Sequence, residues 1–149
     1  MGTFWWDTGL GDRKVSEINA TPVGYIRSEI TDRGQAPRQG RDDATVAMIE
    51  ILPRYSHALE GIEQRSQLVV ICWLHLADRD TLTVRPRGDT NAPLTGVFCT
   101  RSPARPNPLA IYVCDLVSKE GRFLKVRGID AVEGTPVLDI KPHIPRLDD

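Results

Sequence analysis

Short apolar runs with the length and composition of β-strands follow one another along the chain after Pro22. Turn-forming residues separate the runs, for example Arg-Gly-Asp at 87–89 and Glu-Gly-Thr-Pro at 133–136. Only residues 54–64 have a helical pattern. The predicted strands are at 23–26, 44–52, 68–76, 82–85, 96–99, 109–117, 123–129 and 137–140.

So many strands with so little helix indicate an antiparallel barrel or sandwich rather than alternating strands and helices. Residues 124–129 alternate apolar and polar positions, as expected of a strand with one face in water. Residues 68–74 are apolar on both faces, which suits a central strand, a strand under a helix or one covered by a second subunit. With 149 residues, the chain is expected to form one mainly all-β domain with a single site.

The first twenty residues mix aromatic and charged positions without a period. We interpret residues 1–20 as an N-terminal arm that docks Phe4, Trp5 and Trp6 on the domain. The domain itself is expected to span residues 21–147, which leaves 148–149 as a tail.

The charge balance removes the simplest reason to expect a nucleic-acid partner, which is a strongly basic domain. The chain has 19 Lys and Arg against 20 Asp and Glu, so any basic patch must be local. Fifteen of the 19 cationic residues are Arg, whose planar fork binds carboxylate or phosphate. A biased genome base composition would produce the same excess.

The three cysteines, Cys72, Cys99 and Cys114, each lie in a predicted strand without CxxC spacing, and we expect buried free thiols in a reducing compartment. The histidines lack metal-ligand spacing, so no metal is expected. No apolar stretch is long enough to cross a membrane, and the first residues lack the order of a secretion signal. We therefore expect a cytoplasmic protein with no membrane contact.

Residues 96–110 carry the most unusual pattern, a strand that enters a loop with three prolines, two arginines and an asparagine. Proline fixes φ, so the loop should form a rigid platform, and rigid loops beside strands often carry binding groups. The segment from residue 85 to residue 107 contains one acidic residue, Asp89, and four arginines, Arg85, Arg87, Arg101 and Arg105. This charge is typical of a phosphate-facing surface, although a solvated loop paired with surface acids has the same spacing.

Two further segments are candidates for a ligand site. In residues 128–145, Asp130, Glu133 and Asp139 fall at strand ends or turns, where a carboxylate could hold a ribose or offset a sulfonium charge. Gly134 permits close approach of a ligand, but hairpin closure explains the same residues. Residues 34–41 form a polar loop with Gln39 and two arginines, which either closes over a ligand or is a simple connection.

The segments Val97-Phe-Cys-Thr-Arg-Ser-Pro-Ala-Arg-Pro-Asn-Pro-Leu and Asp130-Ala-Val-Glu-Gly-Thr-Pro-Val-Leu-Asp-Ile-Lys-Pro-His-Ile-Pro resemble the two signature segments of the TsaA/TrmO-like family. Gly24-Tyr-Ile-Arg-Ser and Ala36-Pro-Arg-Gln precede them in the expected order, and the resemblance covers about residues 21–147. It implies an eight-stranded antiparallel β-barrel of the YaeB type with one or two short helices, a homodimer, and S-adenosylmethionine bound without a Rossmann fold. It also implies methyl transfer to N6 of a threonylcarbamoyl-modified adenosine beside the anticodon of a tRNA.

The resemblance also implies, position by position, which residues bind the methyl donor, several of them through backbone groups. These are Pro37, Arg38, Gln39, His75, Leu76, Arg101, Ile111, Ala131, Val132, Glu133 and Gly134. Methyl transfer from a sulfonium mainly requires the acceptor amine to be held close to the methyl carbon. We hypothesise that Arg101 and Arg105 hold RNA phosphates or the donor carboxylate, while Asn107 or Asp139 accepts a hydrogen from the amine.

Several positions depart from the family pattern. Leu109-Ala110 replaces the usual Ile-Gly, Glu133 the usual Asp, and His143 the usual aromatic residue, and the chain ends soon after Pro145. These departures are compatible with donor binding, and they weigh against the prediction that the acceptor is a tRNA. They leave three alternatives open: a donor-binding sensor that transfers no methyl group, a methyltransferase for another acceptor, and a structural barrel without a ligand.

Overall fold

The computed structural model describes residues 17–32 and 45–148. Its strands are β1 (Gly24–Arg27), β2 (Val46–Ile51), β3 (Gln67–Trp73), β4 (Thr83–Val84), β5 (Thr95–Gly96), β6 (Leu109–Glu120), β7 (Phe123–Arg127) and β8 (Pro136–Pro142). Six of them close an antiparallel barrel in the order β1-β2-β7-β6-β3-β8. The predicted all-β class and barrel are confirmed.

The prediction of eight strands in the barrel is wrong, because β4 and β5 pair only with each other in a separate two-stranded sheet. Pro86 and Pro93 lie close to these two strands, and proline has no amide hydrogen to donate to a strand ladder, which keeps it out of strand interiors. The predicted strand at 96–99 becomes a 3-10 turn, Val97–Cys99. Both segments therefore stay in the long loop between β3 and β6.

The core lies inside the barrel and consists of the side chains on the inward face of the strands. On β3, Leu68, Val70 and Cys72 are fully buried, while the residues between them are only partly so. Burial raises the pKa of the Cys72 and Cys114 thiols to about 12, which keeps them protonated and inert. Cys99 is exposed, so the prediction that it is buried is wrong, because it lies on the 3-10 turn and not in a strand.

The predicted helix at 54–64 is two 3-10 helices, Pro53–Leu59 and Ile62–Gln64. They are separated at Gly61, whose φ of 78° interrupts a right-handed helix. Leu59 anchors the first one in the core. A short helix that the sequence pattern did not indicate, α1, spans Pro145–Asp148.

Three connections leave the same end of the barrel. Because neighbouring strands are antiparallel, the segments that follow β1, β3 and β7 and return to β2, β6 and β8 all emerge there. Their described residues are 28–32, 45, 74–108 and 128–135, and we call this side the loop end. Of the candidate segments of the sequence, 96–110 and 128–145 lie in or begin with these connections, and 34–41 lies outside the described residues.

The arm with Trp5 and Trp6 lies outside the described residues. Val23 donates its amide to Val137 at 2.8 Å, so the described barrel starts close to the predicted boundary at residue 21, which stays a prediction. In the described part of the chain, no helix is both long and apolar enough to span a membrane.

Candidate functional site

Arg105 braces the proline-containing part of the loop from within. Its guanidinium donates hydrogen bonds to the carbonyl oxygens of Val97 and Thr100, the second at 2.7 Å, and its amide donates to Asp78 at 3.0 Å. Its Nε is buried and has no partner among the described residues. Arg105 therefore holds the turn at residues 97–102, which we call the braced turn. The predicted contact of Arg105 with RNA or the donor stays a prediction.

Arg79 ties the far end of the same loop to β3. Its Nε donates to the Pro106 carbonyl at 2.8 Å, its terminal nitrogen lies 3.5 Å from Asn107 Oδ1, and its guanidinium is 5.1 Å from the centroid of the Trp73 ring. Asn107, a predicted catalytic residue, is exposed at the loop end. The side-chain amide of Asn107 therefore lies beside the Arg79 cation and is still accessible to a methyl-accepting molecule.

Arg101, predicted to bind both donor and substrate, is exposed on the braced turn. Phe98 is 87% exposed on the same turn, an unusual state for a large apolar side chain. The Ser102 amide donates to Thr100 Oγ1 at 3.2 Å, which adds to the backbone order around Arg101. A cation and an aromatic ring are thus presented to solvent from a fixed backbone.

The segment 131–134 is fastened along the end of β1. The Glu133 amide donates to the Ile30 carbonyl at 2.7 Å and the Gly134 amide to the Ile26 carbonyl at 2.8 Å. Gly134 has a φ of 76°, which favours glycine. The buried Thr135 hydroxyl closes the turn by donating to the Val132 carbonyl at 2.7 Å.

The Glu133 side chain returns to the same part of the chain. One carboxylate oxygen accepts from the Arg27 guanidinium at 2.9 Å and the other from the Ser28 amide at 2.7 Å. Ala131 is buried, and Val132 is partly exposed. Because both oxygens of Glu133 are engaged, a donor would meet the backbone of this turn.

Ile111 and Asp139 lie on the outside of the barrel, in one row with Ile71 between them. The Asp139 carboxylate pairs with Lys141 at 2.7 Å and accepts from the Ile140 amide at 2.9 Å. This partner raises the pKa of Lys141. The Asp139 carboxylate thus already has two partners within the chain, and its predicted catalytic role stays a prediction.

The row belongs to a larger apolar outer face on β3 and β6. Side chains there alternate with the buried positions and stand directly opposite one another. The face consists of Val69, Ile71, Trp73, Leu109, Ile111 and Val113.

His75 and Leu76 lie directly after β3, and both are exposed in a tight turn closed by the Ala77 amide on the Leu74 carbonyl at 2.9 Å. They are therefore at the loop end, as is Arg101. Pro37, Arg38 and Gln39, the remaining predicted donor residues, lie outside the described residues.

A partly buried polar pair, Tyr112 and Asp130, lies between the core of the barrel and the loop end. Burial, and secondarily the charge of Asp130 with its side-chain hydrogen bond, raises the pKa of Tyr112 far above its usual value. The Tyr112 hydroxyl therefore stays protonated and donates to Asp130. Asp130, which the sequence offered as a ligand group, therefore already has one hydrogen-bond partner.

Sequence reasoning missed Arg27 and Arg79, which hold two of the candidate segments. Arg27 is 106 positions from Glu133, and Arg79 is 27 positions from Pro106, so no local spacing links the partners. Within residues 17–32 and 45–148, no group of three or more His, Cys, Asp or Glu side chains is placed to hold a metal ion.

Comparisons with known proteins fit this arrangement. The family model of the tRNA-methyltransferase O N-terminal domain matches residues 25–149. A Methanothermobacter thermautotrophicus relative named "Probable S-adenosyl-L-methionine-binding protein" is 46% identical over 132 residues, covering 89% of this chain and 94% of that protein. An Archaeoglobus fulgidus relative named "S-adenosyl-L-methionine-binding protein" is 42% identical, covering 85% of this chain and 90% of that protein.

The solved structure of TrmO from Pseudomonas aeruginosa superposes with a TM-score of 0.73 at 35% identity, over 91% of this chain. This chain spans 59% of the length of that TrmO chain. The names of these relatives agree with the cofactor that the sequence predicts, S-adenosylmethionine.

Proposed function

This chain belongs to the family of the tRNA-methyltransferase O N-terminal domain, and on that premise we propose that it is an S-adenosylmethionine-dependent methyltransferase acting on tRNA. The donor binds at the loop end of the barrel. The acceptor is N6 of a threonylcarbamoyl-modified adenosine in the anticodon loop. The observation that carries the proposal is the convergence of the described candidate segments at that one end.

Donor binding is supported by the kind of groups that the loop end offers. The turn at 131–134 presents backbone atoms fixed by hydrogen bonds, and His75, Leu76 and Arg101 stand exposed on neighbouring connections. The backbone of the 131–134 turn is already fixed before the donor binds, and this preorganisation favours affinity. Pro37, Arg38 and Gln39 complete the proposed donor set.

An RNA acceptor is supported by the braced turn of the long loop. A single-stranded base can be splayed out and stacked on an aromatic ring, and arginine binds the adjoining phosphate. Phe98 and Arg101 supply these two groups from one turn. Arg105 is proposed to act on RNA mainly by keeping that turn in shape, since its guanidinium already serves two carbonyl groups.

Methyl transfer needs an in-line approach of the amine to the donor methyl group, so positioning supplies most of the catalysis. Asn107 is proposed to orient the amine through Oδ1, which still has acceptor capacity beside the long contact to Arg79. Asp139 is the second residue proposed to accept a hydrogen from the amine.

We further propose a homodimer formed through the apolar outer face. An apolar surface on two adjacent strands of the barrel is costly to leave in water, and Ile111 is 62% exposed. The same face carries Ile111 of the proposed donor set, with Asp139 two strands away across Ile71, so the second copy would close the donor site from outside.

Titration calorimetry with S-adenosylmethionine and S-adenosylhomocysteine, followed by transfer of labelled methyl groups to tRNA, tests the proposal. Binding of both compounds and label in adenosine are expected. Arg101→Ala should weaken one or both steps, whereas Arg65→Ala, at an exposed arginine between β2 and β3 at the opposite end of the barrel, should not. Failure of the native chain to bind either compound would remove the methyltransferase assignment.

A second candidate is a donor-binding sensor that transfers no methyl group. It is favoured by the name of the Archaeoglobus fulgidus relative, which states binding alone. The two candidates separate in the same experiment, since a sensor binds the donor but labels no RNA. A methyltransferase for a small metabolite would label that acceptor instead.

A further inference from the structure

The side chain of Glu133 is held by two groups from the end of β1, and we call Arg27, Ser28 and Glu133 the clamp. The Arg27 guanidinium lies 2.9 Å from one carboxylate oxygen, and the Ser28 amide lies 2.7 Å from the other. A carboxylate bound on both oxygens by donors from one short segment has a single orientation. The turn at 131–134 is thereby fixed at its side chain as well as at its backbone.

Arg27 is itself oriented by a second carboxylate. Its Nε and its other terminal nitrogen both lie 2.7 Å from Glu50 Oε2. Glu50 is held from its other side by Arg122 at 2.7 Å. The planar fork of arginine spans the two carboxylates with three separate nitrogens, whereas lysine has one flexible ammonium nitrogen and would not fix the same geometry.

The clamp adds little to folding. The side chains of Arg27 and Glu133 are 49% and 40% exposed, and ion pairs so open to water are weak. The backbone hydrogen bonds of Glu133 and Gly134 to Ile30 and Ile26 hold the turn to β1 without it. The consequence of the clamp is therefore a fixed geometry at the 131–134 turn.

We infer that Arg27 is a positioning residue of the donor site, which holds Glu133 so that the 131–134 turn has the conformation that binds S-adenosylmethionine. The inference rests on the proposed function. It gives Glu133 a definite role, in which the carboxylate faces its own protein while the backbone of the turn faces the donor. Arg27 touches neither the donor nor the acceptor.

The test measures donor affinity by calorimetry beside thermal stability, in the full chain. Arg27→Ala should raise the Kd for S-adenosylmethionine about tenfold, and Arg27→Lys should raise it less. Arg122→Ala is the matched control, because Arg122 contacts Glu50 but not Glu133. It should lower the melting temperature but raise the Kd clearly less than Arg27→Ala does, because Arg27 then keeps its contacts to Glu50 and Glu133.

A double-mutant cycle separates positioning from general loosening. If the clamp acts as one unit, Arg27→Ala combined with Glu133→Ala should weaken donor binding no more than either change alone. Native affinity in Arg27→Ala, equal weakening in Arg122→Ala, or additive effects in the cycle would overturn the inference while leaving the proposed function in place. Absence of donor binding to the native chain would overturn both.

Discussion

Gly24 lies where β1 passes closest to β2. A Cβ built on it would be 2.4 Å from the Glu50 carbonyl oxygen, which belongs to the paired strand and cannot rotate away. Gly24→Ala should therefore destabilise the barrel by about 1–3 kcal/mol, as overpacking in a well-packed region does. Urea denaturation measures this as a lower midpoint.

Gly96 provides the opposite case for the same substitution. Its φ is −59°, and a Cβ there would meet no described atom within 4 Å. Gly96→Ala should be neutral or stabilise the protein by up to about 1 kcal/mol, since it restricts the unfolded chain. Equal midpoints for the two variants would mean that the close approach at Gly24 does not limit the fold.

Glu50 makes the stability of the barrel depend on pH. The hydrogen bonds from Arg122 and Arg27 lower its pKa below the usual value. Its stabilising contribution is then complete above the pKa of the unfolded chain, about 4.3, and is lost as pH falls through the lower folded-state pKa. Glu50→Gln should thus be less stable than the native protein at pH 7, and the difference should shrink below about pH 4.

Urea denaturation at pH 7 and pH 3 checks this expectation, with Glu120→Gln as control because Glu120 is an exposed acid at the end of β6. The control should keep the same small difference from the native protein at both pH values. A stability difference for Glu50→Gln that is as large at pH 3 as at pH 7 would contradict the charged role of this carboxylate.

At the scale of elements, the long loop shows that one arginine can order a segment in which proline is abundant. Arg105→Ala removes the hydrogen bonds to the carbonyl groups of Val97 and Thr100. Hydrogen exchange at the Thr100 and Ser102 amides should become faster, on the order of tenfold, while the barrel amides keep their protection. Arg101→Ala, which removes an exposed arginine from the same turn, should leave exchange unchanged.

Unchanged exchange in Arg105→Ala would mean that the prolines alone fix the turn. In that case the predicted role of Arg105 as a direct ligand of RNA phosphate would regain support, because its guanidinium would not be needed for the backbone.

The barrel strands were predictable from short apolar runs such as 68–74 and from alternation such as that of 124–129, where Leu124 and Val126 of β7 are the buried positions. The extension of β6 to Glu120 was not, because residues 118–120 are polar and their strand character comes only from pairing with β7. The same limit holds in the site. Loops 96–110 and 128–135 were visible as local patterns, whereas their links to Arg79 and Arg27 depend on long-range folding.

At the scale of the whole molecule, the apolar outer face explains why residues 68–74 are apolar on both sides. One side fills the barrel, in which β3, like every strand of a closed barrel, pairs with two neighbours, here β6 and β8. The other side continues onto Leu109, Ile111 and Val113 of β6. The barrel accounts for the first side only, and a covering subunit is proposed for the second.

Ile111→Glu places a charge in the middle of that face at a position already 62% exposed in the single chain, so the barrel should fold normally. Sedimentation should show a native dimer and a monomeric variant, because a charge buried at an apolar interface without a partner is strongly unfavourable. Val46→Glu, at a 44% exposed valine on β2 outside this face, should remain dimeric. A native monomer, or equal dissociation of both variants, would exclude the apolar outer face as the interface and would leave the proposed donor site to be built by one chain.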